Sequence, residues 1–235
     1  MKTLSGLLAI AALTAASIPA VAAAGDDNQK IESRLDAAKD VITQIMSVPD
    51  KAVPSQIANK AVCVGVVPGM KKAAFIVGGD YGQGVVTCRT SSGWSAPVFI
   101  RMAGGSWGLQ IGGQSTDLVL VAMNDKGFQD LLHSQFKIGA DVAAAAGPVG
   151  RNAQASTDIT LHAELLTWSR SRGAFAGIDL NGTSVTQNTD DTKALYGGSH
   201  NFEDILHGSV PPPASAQGFL DAVAQYFGGS ATASK

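Results

Sequence analysis

Between Trp107 and Met123 the sequence sets two kinds of strand in succession, and this constrains the fold more than any other feature. From Trp107 the residues alternate: Trp107, Leu109 and Ile111 fall on one side, Gly108, Gln110 and Gly112 on the other. A period of two is the signature of a strand. Glycine inside a strand marks a bulge or the close approach of another group, so the small-residue side needs something to fill it. The next run, Leu118-Val-Leu-Val-Ala-Met123, is apolar at every position and reads as a strand covered on both faces. These two runs are expected to form the centre of a sheet.

The flanking sequence supplies more strands and the helices to cover them. Val62 to Val67, Ala73 to Gly79 and Val85 to Thr90 are short strand-like runs, separated by a Pro68-Gly69 turn and a glycine-rich turn through Tyr81-Gly-Gln-Gly84. They predict an antiparallel meander. From Asn28 to Met46, Ile31, Leu35, Ala38, Ile42 and Ile45 share one helical face, with Asp26 or Asp27 available as N-cap. Pro54 to Lys60 predicts a short second helix with proline in its first turn. Phe128 to His133 predicts one or two helical turns, and Phe136 to Arg151 a mainly extended segment. Ile159 to Ser169 and Ala174 to Leu180 read as a hairpin, followed by short helices over Asn188 to Tyr196 and Phe202 to Leu206. After the stiff Pro211-Pro-Pro213 spacer, Phe219, Leu220, Val223, Tyr226 and Phe227 mark a last amphipathic helix stopped by Gly228-Gly229. The expected fold is α+β: a curved, largely antiparallel sheet, barrel- or sandwich-like, packed with helices from both ends of the chain.

The N-terminus carries a different signal. Lys2, the apolar run from Leu7 to Ile18 and the small residues Pro19-Ala-Val-Ala-Ala-Ala24 form a secretory signal pattern. Residues 1–24 are therefore expected to be removed, leaving a domain over 25–210 and a spacer with its helix over 211–235, in the periplasm or secreted, either free or peripheral to a membrane. Without Lys2 there are 16 basic against 19 acidic residues, a formal charge of −3. So weak an acidic balance disfavours general nucleic-acid binding, which needs many phosphate contacts. In an oxidising compartment the two cysteines, Cys63 and Cys88, are expected to pair; the alternative is two separate buried thiols. The scattered histidines and the lack of a second ligand at suitable spacing give no metal site, and nothing calls for a cofactor.

Tests for catalysis find one motif. Gly104-Gly-Ser106-Trp-Gly108 satisfies G-x-S-x-G, with Asp117 and His133 following in hydrolase order. That motif works when its serine sits on a strained turn from strand into helix, and here an alternating strand pattern follows. Serine hydrolysis at Ser106 is thus a minor alternative to a non-enzymatic role. The basic residues at turns, Lys71, Lys72, Arg151, Arg170 and Arg172, can offer donors to a phosphate or carboxylate, or stand as solvated turn charges.

The ordered blocks Val66-Val-Pro-Gly-Met-Lys-Lys-Ala-Ala-Phe75, Gly78-Gly-Asp-Tyr-Gly-Gln-Gly-Val-Val86, Gly93-Trp-Ser-Ala-Pro-Val-Phe-Ile100, Gly108-Leu-Gln-Ile-Gly-Gly-Gln-Ser-Thr-Asp117, Gly147-Pro-Val-Gly-Arg-Asn-Ala153 and Trp168-Ser-Arg-Ser-Arg-Gly-Ala-Phe-Ala-Gly177 resemble the SYLF-domain family. The resemblance runs from the first helix to about Tyr196. It implies a lipid-binding module: eukaryotic members are associated with phosphoinositide membranes and some with actin, and bacterial members are exported. The eukaryotic basic N-terminal helix has a charge-balanced counterpart here, with Lys30, Arg34 and Lys39 against Glu32, Asp36 and Asp40. The resulting expectation is a non-catalytic module binding phospholipid or another anionic amphiphile. Its groove would lie along Gly108, Gly112 and the Gly139 to Gly150 segment, with Lys71, Lys72, Arg151, Arg170 and Arg172 at the head group. The alternative is an envelope-associated structural or interaction protein whose own helix fills the glycine face and whose partners are proteins.

Overall fold

The computed structural model describes residues 21–50, 52–75, 77–107, 112–124, 126–127, 132, 134–149, 163–171 and 180–228; among these, the side chains of 21–26, 73–75, 77, 106–107 and 112–114 are outside the description. Helix α1 spans Val21–Met46. Its buried residues are those the periodicity assigns, Ile31, Leu35, Ala38, Ile42 and Ile45, with Val41 beside them. The helix begins earlier than expected, so Asp26 and Asp27 lie within it rather than capping it. Helix α2 is Ser55–Ala58, with Pro54 at its N-cap.

Strands β1 (Cys63–Phe75) and β2 (Val77–Thr90) form one long antiparallel hairpin, in register from Cys63↔Cys88 to Phe75↔Val77. Neither turn expected within this region is a turn. Pro68-Gly69 is an irregularity inside β1, where the register shifts against both neighbours. Proline has no N–H for the ladder, and Gly69 takes the left-handed φ of +57° that a bulge requires. The glycines from Gly78 to Gly84 run through β2 as ordinary strand residues.

After the two-residue strand β3 (Gly93–Trp94) come β4 (Val98–Trp107) and β5 (Gly112–Ala122), which pair with β2 and β1 respectively. The remaining strands are β6 (Gln135–Lys137), β7 (Ala144–Ala146), β8 (Leu165–Ser171) and β9 (Ser184–Gln187). Among the described residues the sheet order is β6-β9-β4-β2-β1-β5-β8-β7. The centre is therefore the β1–β2 hairpin, with the Leu118 to Met123 run beside it in β5, while the alternating run from Trp107 falls largely on 108–111, outside the described residues. Among the described strands all the pairings are antiparallel except β7 with β8, and the isolated bridge between Ile138 and Val142 is parallel too.

This topology forces the sheet to curl. The edge strands β6 and β7 are joined through residues 138–143, with a bridge between Ile138 and Val142. Seven strand spacings laid flat cover about 34 Å, whereas a chain joining Lys137 to Ala144 extends at most about 25 Å. A half-barrel results, with a seam where its edges approach.

Apolar residues on the two sides of the strands make two cores. The helix face packs Val64, Val66, Val85, Phe99, Val119, Val121, Leu166 and Trp168 against α1, α2 and the helix α5 (Gln217–Phe227). The seam face packs Val67, Met70, Ile100, Met102, Leu118 and Leu120 against Phe136, Ile138, Val185 and the helix α4 (Phe202–Leu206). Leu118 to Ala122 alternate strictly between these cores, the two-sided burial their sequence predicts. Helix α3 (Thr189–Tyr196) has Asn188 as its N-cap and left-handed Gly197 at its C-cap. Phe128 to His133 falls outside the description except for Leu132, as does Ala174 to Leu180 except for Leu180.

Candidate functional site

The sheet has two unlike ends. Its base is where β1 starts and β5 finishes, and there Cys63 and Cys88 form a disulfide between directly opposed residues, with Cα atoms 4.0 Å apart. Both cysteines are buried in the seam-face core. Its tip is where β1 turns into β2, with the end of β4 and the start of β5 alongside.

The basic residues singled out in the sequence divide between faces. Neighbours on one strand, Lys71 and Lys72 point to opposite sides. Lys72 lies on the seam face with its Nζ 3.9 Å from Oδ1 of Asp80, a carboxylate only 6% exposed. Lys71 is exposed on the helix face, level with Tyr81 of β2, itself 50% exposed. Arg170, also on the helix face, donates to Asp117 Oδ2 at 2.7 Å, while Asp117 Oδ1 accepts from Gly69 N at 2.9 Å. Lys71 and Arg170 thus share a face near the tip, and Lys72 does not join them. Arg151, Arg172 and Gly108 lie outside the described residues, and Gly112 is placed only by its register with Ala74.

Glycines near the middle of the hairpin are filled by the chain itself. A Cβ on Gly82 would stand 2.6 Å from Val67 Cγ1, and one on Gly84 would stand 2.6 Å from the Val66 carbonyl oxygen. The glycine-rich run of β2 therefore makes room for the side chains around the β1 bulge, and no ligand is needed to explain it. Ser106 lies inside β4, opposite Gly78, and the next described element is another strand, so this serine does not occupy a strand-to-helix turn. Asp117 is engaged by Arg170 and Gly69, and His133 is outside the described residues. Among the described residues no three His, Cys, Asp or Glu side chains are placed to hold a metal ion.

The half-barrel seam contains a cavity of ≈ 200 Å³ lined by Ile138, Ala144, Ala145, Ala146, Thr167, Leu180 and Asn181. Five of these side chains are apolar, and Thr167 and Asn181 add polar groups. Its walls are fixed from both sides. Glu164 accepts from the Ala143 N–H at 3.0 Å and is bridged by Lys126. The hydrogen bond from Lys126 lowers the Glu164 carboxyl below the usual carboxylate range, with burial opposing and the Ala143 N–H assisting. Gly147 lies so close to the Trp168 ring that a Cβ would stand 2.2 Å from it, and Trp168 Nε1 donates to the Pro148 carbonyl at 3.3 Å. The described small residues of 139–149 thus serve the seam. They do not form a common face with Gly112, which lies at the tip.

Sequence reasoning missed three features. Leu180 and Asn181 reach the cavity because Asn181-Gly182 is a turn just before β9, a signal available in the Asn-Gly dipeptide. Arg34 clamps α1 to the sheet: it pairs with Asp191, donates to Gln83 Oε1 at 2.6 Å and lies 5.3 Å from the centre of the Phe99 ring. Its partners come from β2, β4 and α3, so local pattern gives no sign of the clamp. The third is a cavity of ≈ 240 Å³ beside α3, lined by Asp190, Lys193, His200 and Phe202 among others.

Comparison with known proteins places this arrangement. Residues 103–226 match the model of a family described as Ysc84, "Las17-binding protein actin regulator". The chain is similar to SH3 domain-containing YSC84-like protein 1 of Rattus norvegicus, 34% identical over 171 residues, covering 72% of this chain and 50% of that protein. It is also similar to LAS seventeen-binding protein 3 of Saccharomyces cerevisiae, 31% identical over 172 residues, covering 70% of this chain and 37% of that protein. The chain spans about half the length, or less, of the curated relatives it matches. From the family model and these relatives together, the chain belongs to the Ysc84 family, the SYLF-domain proteins that its ordered sequence blocks resemble.

Proposed function

We propose that this is an exported, non-catalytic binding module of a bacterial envelope, holding part of an anionic amphiphile such as a phospholipid in the seam of its half-barrel. The observation that carries this reading is the seam cavity, where five apolar side chains meet Thr167, Asn181 and a surface that is otherwise mainly polar. A mixed lining of this kind suits an amphiphile. At ≈ 200 Å³ the cavity lies below the roughly 300 Å³ at which drug-sized ligand pockets begin, so it takes a piece of one acyl chain and leaves the rest of the lipid in its membrane. Each methylene buried contributes about 0.8 kcal/mol, so a few of them outweigh one exposed ion pair. Binding is then expected to depend strongly on chain length and modestly on salt. Native mass spectrometry of the mature protein from its own envelope, with extraction of anything bound, tests the reading. A stoichiometric lipid supports it; an empty protein that also fails to float with liposomes removes it.

A second reading, a module for protein partners, is favoured by the internal pairing of Lys72 with Asp80 and of Arg170 with Asp117, which leaves fewer charges for a head group. The name of the yeast relative states that it binds LAS seventeen, a protein partner. Crosslinking in intact envelopes that recovers one protein stoichiometrically, with no lipid bound, selects this reading.

A further inference from the structure

Beyond its apolar core, the seam face of the sheet buries hydroxyls and one carboxylate. On β8 this face runs from Leu165 through Thr167 and Ser169 to Ser171, beside Leu120, Leu118 and Thr116 of β5. Thr116 and Ser171 satisfy each other at 2.6 Å, and Thr167 donates to the Ala145 carbonyl at 3.3 Å. Two groups have no such partner. Asp80 of β2 is 7% exposed and its Oδ1 accepts no hydrogen bond, because Lys72 Nζ, at 3.9 Å, stands beyond hydrogen-bond reach. Thr183, 2% exposed in the turn before β9, has a hydroxyl with no partner among the described residues. A buried carboxylate oxygen without a donor is costly and calls for a reason.

Both groups border the same bare spot. Gly104 of β4 lies directly opposite Asp80, and a Cβ on it would stand 2.9 Å from Thr183 Oγ1 and 3.5 Å from Asp80 Oδ2. Gly82 and Gly84 make room for Val67 and for the Val66 backbone, whereas the atoms nearest to this glycine are polar oxygens lacking hydrogen bonds. Gly104 is partly exposed and the Lys72 side chain is 34% exposed, so the spot communicates with solvent.

We propose that this spot binds a neutral polyhydroxyl group, the edge of a sugar or polyol. Two ligand hydroxyls donate to the oxygens of Asp80, while Thr183 and Lys72 donate to ligand oxygens. Charge balance selects the class. Asp80 and Lys72 already compensate each other, so an anionic or cationic ligand would leave one charge unpaired in a largely buried place. A neutral ligand adds no charge, and an ionised carboxylate accepts two hydroxyl donors at once. The site adjoins the turn that brings Leu180 and Asn181 to the seam cavity, yet it needs no acyl chain and stands whether or not the seam holds lipid.

Amide correlation spectra and saturation-transfer NMR of the mature protein are recorded with glycerol, glucose and a short glucan, and with phosphate and ethanolamine as the anionic and cationic probes. A saturable response to a neutral probe is expected, with shifts at the Asp80, Gly104 and Thr183 amides. Tighter binding of the glucan points to the end of a glycan chain and tighter binding of glucose to a free solute; both support the site. Asp80→Asn is expected to weaken binding at least about tenfold, the loss of hydrogen bonds to a charged acceptor, and Gly104→Ala to abolish it by filling the space. Thr183→Val is expected to weaken binding severalfold while its unfolding midpoint stays level or rises, since its hydroxyl has no protein partner to lose. No saturable response to a neutral probe, shifts with phosphate or ethanolamine in its place, or binding that survives both Asp80→Asn and Gly104→Ala overturns the proposal. So does a lowered midpoint in Thr183→Val with no neutral probe bound, which assigns the spot to a resident water.

Discussion

The base and the tip of the same sheet are built on opposite terms. At the base, β1 and β2 are joined by a disulfide between directly opposed residues, and each strand is sandwiched between two apolar cores. Near the tip the same strands carry Lys71, Lys72, Asp80 and Tyr81, and their pairing continues on backbone hydrogen bonds with little described core behind it. Apolar burial dominates folding free energy, so the twice-covered base carries much of the stability, whereas Lys71 and Tyr81 towards the tip are exposed. Substitutions should therefore separate into two classes along the strand direction.

The largest effect is expected at the base. Phe99 is fully buried between β4 and α1 and supports Arg34. Phe99→Ala should lower unfolding free energy by about 3–5 kcal/mol, read from the urea midpoint, whereas Lys71→Gln near the tip should stay within about 0.5 kcal/mol. Comparable losses from the two would dissolve the distinction. Next comes the disulfide. It closes a separation of 25 residues, and in the chain-entropy account its removal by Cys63→Ala with Cys88→Ala costs about 3–4 kcal/mol.

Two glycines sharpen the comparison on a finer scale. Gly82 is enclosed, with Val67 Cγ1 at 2.6 Å from a built Cβ, while Gly105 on β4 near the tip has nothing within 4 Å. Gly82→Ala should cost about 1–3 kcal/mol by overpacking. Gly105→Ala should be neutral or stabilise by up to about 1 kcal/mol, since it removes the extra freedom of glycine from the unfolded chain. Equal effects in thermal unfolding would mean that the close approach around the bulge is not what Gly82 is for.

The same glycines show where sequence reading stops. Leu118 to Met123 was legible as a strand covered on both faces because six consecutive apolar residues have no solvent side. The amphipathic faces of α1 and α5 were legible for the same reason, since burial writes itself into local period. The Pro68-Gly69 bulge reads as a turn, because what holds it in the sheet is the Asp117 carboxylate, supplied from β5 and itself held by Arg170 of β8. The Tyr81-Gly-Gln-Gly84 stretch reads as a turn for want of any view of Val67 and Met70 across the ladder. The candidate site suffered most. Adjacent lysines face opposite ways only once a strand is known to pass through them, and the seam exists only after two edge strands are brought round the whole sheet.

The smallest expected effect concerns the seam wall, which belongs to neither end. Glu164 joins Lys126 to the Ala143 N–H, and its carboxyl titrates below the usual 4.5, the Lys126 hydrogen bond being the main cause. A group whose folded value is depressed contributes stability that is present above its unfolded value and is lost as pH falls through the folded one. Stability from Glu164 should therefore be complete at neutral pH and decline only in acid, below 4.5. Glu164→Gln isolates this contribution. The difference in unfolding midpoint between it and the unsubstituted protein should be constant near neutrality and shrink as pH falls from about 5 to about 3. A difference that stays flat through that range would mean that the carboxylate charge does not hold β7 in place, and that the seam wall rests on the Ala143 hydrogen bond and the Trp168 packing alone.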